Sequence, residues 1–220
     1  MKGKNKELKI EAKKKEAVIE SFNLWMKSND ELPHQYEVID VSYRIAGTGS
    51  LGTERYLILI RQVKDTKKFR LIDMKQANPS SLLPYVDTVQ PVWNTEAERV
   101  VSVQKRMQNI TPALLSPHNY NENSYVIQEM QPTKDRINFE LIGNNEKQIC
   151  SVMKDMGVIA ASAYFNCSGR QGSAIADELI SFGENKDWHH TIIDYAKNYM
   201  LTTTKYYKDF MSDYLAGFSS

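Results

Sequence analysis

Gly47-Thr48-Gly49-Ser50-Leu51-Gly52 has the glycine spacing with which backbone turns hold phosphate. Glycine lets the main chain approach an anion closely and leaves its N–H groups free to donate. Two folds use this spacing. In a dinucleotide-binding unit it leaves a strand and opens a helix. In the nucleotide loop of protein kinases it turns one strand back onto the next. Here residues 36–46 and 55–63 are both rich in β-branched and aromatic types, so strands are expected on either side and the second setting fits. A plain glycine hairpin turn would look the same and bind nothing. In the ligand-binding reading, Gly47, Thr48, Gly49, Ser50 and Gly52 face phosphate.

Lys75 ends Ile72-Asp73-Met74-Lys75, on the strand that follows this hairpin. A lysine there pairs with phosphates and takes a partner from the next helix. Glu98 and Gln104 are the candidates. Glu98 also stands three residues after Thr95 in a capping-box pattern, which would hold it at the helix start. Gln104 shares a helical face with Val100, Val101 and Met107. Tyr125-Val126-Ile127-Gln128-Glu129-Met130 reads as a strand leading into a hinge, where backbone groups near Glu129 would meet an adenine edge. The pattern names ATP as a candidate and leaves the cofactor open.

Phosphoryl transfer asks for more: a base-positioning Asp and ligands that hold Mg²⁺ against the phosphates. The chain has no H-R-D-type or H-G-D-type loop and no D-F-G-type aspartate. Asp135, Asp155, Asp177, Asp187, Asp194, Asp209 and Asp213 fall in turn or helix contexts without a companion Asn. No catalytic residue and no metal ligand is assigned. His189 and His190 are adjacent on a helix and point apart, against a zinc site. Arg170, in the break 168–173 beside a helix start, is either an anion contact or part of a connecting turn.

The elements that must position these residues follow from periodicity. A helix is expected over 5–28, with Val18, Phe22 and Trp25 on one stripe and a solvated lysine-rich face. Strands over 36–46, 55–63 and 69–75 make an antiparallel meander. A stretch with Pro79, Pro84 and Pro91 leads to a helix over 95–108. Residues 109–123 read as loop, 125–130 as strand and 136–142 as a further strand. The remainder is helical. Ile149, Val152, Met156, Ile159 and Ala163 form one stripe, a short helix covers 173–182, and a long one covers 188–217 with Tyr195, Tyr199, Tyr206, Phe210 and Tyr214 near one face. The fold class is α+β, with an N-terminal helix over 1–35, a β-rich lobe over 36–142 and a helical part over 143–220.

Composition narrows the partners. With 220 residues, 41% hydrophobic and 25% charged, the chain is large enough for one sizeable domain or two small lobes. A net charge of +1 gives no overall field to draw nucleic acid or a membrane surface. No apolar run approaches a membrane span and no signal pattern opens the chain. Cys150 and Cys167 have no metal or redox spacing, which fits a reducing, cytoplasmic compartment.

Several ordered segments together resemble the bacterial family catalogued as domain of unknown function 2252. They are residues 40–56 around the glycine run, Asp73-Met74-Lys75-Gln76-Ala77, Arg99-Val100-Val101 with Gln104 and Met107-Gln108, Gln128-Glu129-Met130-Gln131-Pro132, and Ser168-Gly169-Arg170-Gln171-Gly172-Ser173-Ala174. That family is similar to a distant, rearranged relative of protein kinases and aminoglycoside phosphotransferases. Its glycine loop and lysine follow the catalytic-loop segment. The resemblance implies that this chain matches the C-terminal part of such a protein, without the Gly-Asp-x-His-x-x-Asn-type loop and aspartate-rich metal segment of the N-terminal half. Where relatives tend to carry a histidine and an arginine before the Ser-Gly-Arg-Gln-Gly run, this chain has Tyr164 and Asn166. The expected function is nucleotide binding without catalysis of its own. The alternatives are a phosphotransferase half completed by a second polypeptide, or a protein-interaction module without nucleotide. Self-association, or a protein supplying the catalytic half, is the expected partnership.

Overall fold

Arg55-Tyr56-Leu57-Ile58-Leu59-Ile60 alternates in kind, and the alternation sets the two faces of a sheet. Tyr56, Ile58 and Ile60 are fully buried on one side, while Arg55 and Leu59 are only partly covered on the other. The computed structural model describes residues 7–8, 10–29, 36–132 and 135–217. In chain order the elements are β1 (Glu7–Leu8), α1 (Ala12–Ser28), β2 (Tyr36–Arg44), β3 (Arg55–Gln62), β4 (Phe69–Gln76), α2 (Glu96–Met107), β5 (Ser116–Tyr120), β6 (Asn123–Glu129), α3 (Phe139–Ile142), α4 (Glu146–Cys167), α5 (Ala176–Glu184) and α6 (Asp187–Leu215). The mixture is α+β, as composition and pattern led us to expect.

All strand pairs are antiparallel, and the sheet order is β1-β2-β3-β4-β6-β5. β2, β3 and β4 form the expected meander. β6 then adds beside β4, and β5 closes that edge as a hairpin partner. α1 lies on the face carrying Tyr56, Ile58, Ile60, Ile72, Met74, Tyr125 and Ile127, and its Val18, Phe22 and Trp25 join them in the core. Full burial of those three side chains stabilises the fold by roughly 5–9 kcal/mol before entropy is counted. Two side-chain bonds fix the helix laterally. Trp25 Nε1 donates to Ser116 Oγ at 3.1 Å, and Ser21 Oγ lies 2.8 Å from His118 Nε2.

α2 starts where its signal stands: Thr95 Oγ1 accepts from Glu98 N at 3.1 Å, and Glu98 Oε2 accepts from Asn94 N at 3.1 Å. It packs on β5 and β6 from the side opposite α1, with Ala97 and Val101 buried. α4 packs on α2.

Three expectations are corrected. The first helix begins at Ala12, not near residue 5, because Glu7–Leu8 pairs as an edge strand with Tyr43 and Arg44. Residues 109–123 are not all loop. Ser116–Tyr120 pairs with β6 through a two-residue turn, Asn121–Glu122, with φ of 49° and 65°. Pro117 and His118 hide this strand in the sequence, and an edge position tolerates the proline. Residues 136–142 are not a strand. Asn138 Oδ1 accepts from Glu140 N at 2.9 Å and caps the single turn of α3, which Gly143 ends at φ 58°.

The chain divides into two units, residues 1–167 and 168–220. α4 therefore belongs with the sheet. In the second unit, Gly169 N donates to Ala174 O and Ser173 N donates to Arg170 O, which makes the Ser-Gly-Arg-Gln-Gly run a folded turn ahead of α5. Neither α4, α5 nor α6 contains a buried residue.

Candidate functional site

On the face of the sheet away from α1, the β2–β3 connection, β3, β4, β6 and α2 enclose a cleft of about 400 Å³. Register explains its floor. Arg55 pairs with Lys75, Lys75 with Val126, and Asp73 with Gln128, so all five side chains share this face. Gly49 and Thr53 come from the connection above. Val100 and Gln104 come from α2, and Ala77 and Asn78 from the chain leaving β4. Asn78 Nδ2 donates to Thr53 Oγ1 at 3.4 Å, and Arg99 Nη2 donates to Asn78 O at 3.3 Å, which joins the connection to α2.

The glycine run turns β2 back into β3 and opens no helix of length; residues 48–50 make a single 3-10 turn. Gly47 and Gly52 have φ of 79° and 81°, a region that L side chains avoid, so the turn itself requires them. Gly49 is different. It lines the cleft, its φ is ordinary, and a Cβ there would meet no protein atom within 4 Å. Nothing in the described fold demands glycine at that point.

The floor is unevenly charged. Asp73 is 3% exposed. It accepts from Arg55 Nε at 2.6 Å and Arg55 Nη2 at 2.5 Å, and from Arg44 Nη1 at 3.0 Å. One carboxylate thus serves two guanidiniums. Arg55 Nη1 also donates to Ala46 O at 3.3 Å, which ties the triad to the root of the glycine turn. Lys75 stands directly across from Arg55, a like-charge cross-strand pair that destabilises a sheet when nothing compensates it. Asp73 compensates Arg55. Among the described residues, the Lys75 ammonium has no hydrogen-bond or ion-pair partner.

The structure therefore brings Gly49, Lys75 and Gln104 to one cleft. Gly47, Ser50 and Gly52 stay in the turn above it; the side chain of Thr48 lies outside what is described. Glu98 is held at the start of α2 by its cap bonds. Gln104 Nε2 donates to Gln108 Oε1 at 3.2 Å. The place facing Lys75 on α2 thus holds an amide, which cannot form an ion pair. Glu129 pairs with Ile72 on the α1 face, and its carboxylate accepts from Arg70 Nη1 at 3.0 Å. Its backbone N–H donates to Ala113 O and that of Met130 to Leu71 O, so neither is free for a ligand. Arg55, Asp73 and Gln128 were not singled out from the sequence. Their alternation with the core residues of β3, β4 and β6 was the available signal.

Behind the cleft floor, on the α1 face, lies a second polar cluster. Glu54 accepts from Lys14 Nζ at 2.5 Å, Tyr125 Oη at 2.7 Å and Tyr56 Oη at 2.9 Å. Burial pushes the Glu54 carboxyl up, but these donors outweigh it and hold the group below the usual carboxylate range. The Glu54 bond, with help from Tyr43, pushes the Lys14 ammonium upward. Burial and the Glu54 carboxylate push the Tyr56 and Tyr125 phenols up. Lys15 likewise binds Asp40 and lowers its pKa. The lysine face of α1, expected to be solvated, is partly docked. Among the described residues no cluster of three His, Cys, Asp or Glu could hold a metal, and no helix is long and apolar enough to cross a membrane.

The family model described as "Uncharacterized protein conserved in bacteria (DUF2252)" matches residues 5–213, and the chain belongs to that family. No curated protein and no solved structure matches it.

Proposed function

We propose that the cleft binds the phosphate groups of a nucleotide such as ATP, and that this chain holds the nucleotide without transferring phosphate by itself. The observation that carries the reading is Lys75: a cation without a partner, opposite a second cation, under a turn whose Gly49 has no structural reason to lack a side chain. An anion in the cleft would relieve the like-charge pair and use the open space above it. The hairpin, the lysine one strand further and the helix alongside support a reading as a kinase-like nucleotide lobe, and we read the chain as the C-terminal part of such a protein, acting in the cytoplasm. Among the described residues the only carboxylate lining the cleft, Asp73, is bound by two arginines and is no base for phosphoryl transfer. Equilibrium dialysis with ATP tests this. Wild-type protein retains ATP, Gly49→Val and Lys75→Ala retain markedly less, and purified protein turns none over. Binding unchanged in both variants overturns the assignment.

A second reading rests on the helical unit and concerns self-association. Tyr195, Tyr199, Tyr206, Phe210 and Tyr214 fall along one side of α6 and are each 55–65% exposed, with the first two rings stacked at 5.7 Å and the last two at 6.0 Å. At about 150–250 Å² per ring, they leave roughly 450–750 Å² in water. That reaches past the upper end of the ~300–600 Å² patch most monomers carry and approaches the ~800 Å² that each partner gives to a standard interface. A second copy of the same face supplies a matching surface.

A further inference from the structure

We propose that the cleft takes its phosphate ligand as a free polyanion, so that Mg²⁺ competes with the protein for the phosphates instead of bridging them to it. The inference rests on the phosphate-binding reading above and goes beyond it to the charge state of the ligand.

A bridging Mg²⁺ needs oxygen ligands on the protein side, in practice one or two carboxylates. Among the described residues, Asp73 is the only carboxylate lining the cleft. Its Oδ1 already accepts from Arg55 Nε and Arg44 Nη1, and its Oδ2 from Arg55 Nη2. Freeing it for a cation means displacing two guanidiniums and then setting Mg²⁺ beside both. The nearby acids are engaged elsewhere. Glu54 faces the other side of the sheet with Lys14, Glu129 pairs with Arg70 there, and Glu98 caps α2.

The charge balance points the same way. Arg55 and Lys75 line the cleft beside one carboxylate, which Arg44 also binds, so the site holds an excess of positive charge. The Lys75 ammonium, backed by the charge of the two arginines, does for the phosphate oxygens what a metal does in other phosphate sites. Chelation by Mg²⁺ removes two negative charges from the ligand, occupies the same oxygens, and offers the protein no new bond in return.

The test is calorimetric titration of the full chain with ADP and with inorganic tripolyphosphate, in EDTA and in excess Mg²⁺, at equal ionic strength so that screening does not differ. The expected result is affinity about tenfold higher in EDTA for both probes, as a close charge–charge difference of this kind produces. Lys75→Ala should weaken binding in EDTA and shrink the gap. Gly49→Val, which adds bulk to the cleft without changing its charge, serves as the second variant and should weaken both conditions alike. Tighter binding in Mg²⁺ overturns the inference while leaving the phosphate site standing. Failure of both probes under both conditions overturns the site and the inference together.

Discussion

Replacing Asp73 by Asn should strike the site through its scaffold. The substitution keeps the shape but removes the one charge that holds Arg44 and Arg55 together. One oxygen of the amide can still accept, while its NH₂ group would face a guanidinium, donor against donor. Breaking a buried pair by removing one partner costs about 3–5 kcal/mol, because the remaining charges stay desolvated. Asp73 is 3% exposed and serves two partners, so this full range applies, not the ~0–1 kcal/mol of an exposed pair. For a domain of this size that lowers Tm by roughly 6–20 °C. Urea unfolding followed by circular dichroism gives the free energy directly, with the slope checked for two-state behaviour. Adding Arg55→Met should recover part of the loss, since it removes one of the two uncompensated cations. A loss below about 1 kcal/mol in Asp73→Asn, with no recovery in the double variant, would refute the reasoning that the triad is desolvated and fixes the root of the glycine turn.

Phe22→Ala removes a fully buried ring between α1 and the sheet and should cost about 3–5 kcal/mol by the same unfolding assay. Thr95→Ala, which loses the cap of α2, should cost only about 1 kcal/mol. The depressed pKa of Glu54 contributes stability that is present above its unfolded pKa and lost as pH falls through the folded one. Unfolding midpoints measured from pH 6 downward should therefore drop on acidification in the wild type, and less steeply in Glu54→Gln. Burial also lowers the pKa of His118, so its protonation on acidification should add to the same loss, and His118→Gln should remove that share. Sedimentation over a concentration series should show self-association that Tyr199→Ser with Tyr206→Ser weakens; a clean monomer at high concentration contradicts the dimer reading.

Much of the sheet was legible because its strands obey a period of two and its turns carry glycine or charged residues. The glycine run was placed between strands by the β-branched residues on either side, and Thr95 with Glu98 marked the start of α2. What escaped notice did so for physical reasons. β5 is an edge strand whose stability comes from its hairpin partner, and Ser116, Pro117, His118 and Asn119 carry little strand preference of their own. Residues 136–142 contain isoleucines that suit a strand, but the local bond from Asn138 to Glu140 decides for a turn of helix. In the site, Lys75 and the glycines stood out by type. Arg44, Arg55 and Asp73 did not, because a triad formed across three strands depends on register, which spacing along the chain does not show. The stripe through Ile149, Met156 and Ile159 marked α4 as a helix with one apolar side. In the structure α4 meets α2 partly through polar bonds instead. Asn166 Nδ2 donates to Met107 O at 3.2 Å and Asn109 Oδ1 at 2.8 Å, while Met156 and Ile159 stay exposed.

Backbone amide shifts of ¹⁵N-labelled protein, recorded while ADP is added in EDTA, test the central claim most directly, because they locate binding residue by residue. The largest changes should fall on Gly47, Gly49, Ser50, Gly52 and Lys75, with smaller ones at Gln104, and Lys75→Ala should weaken them together. Shifts that cluster away from the cleft, or none at millimolar ADP, would contradict it.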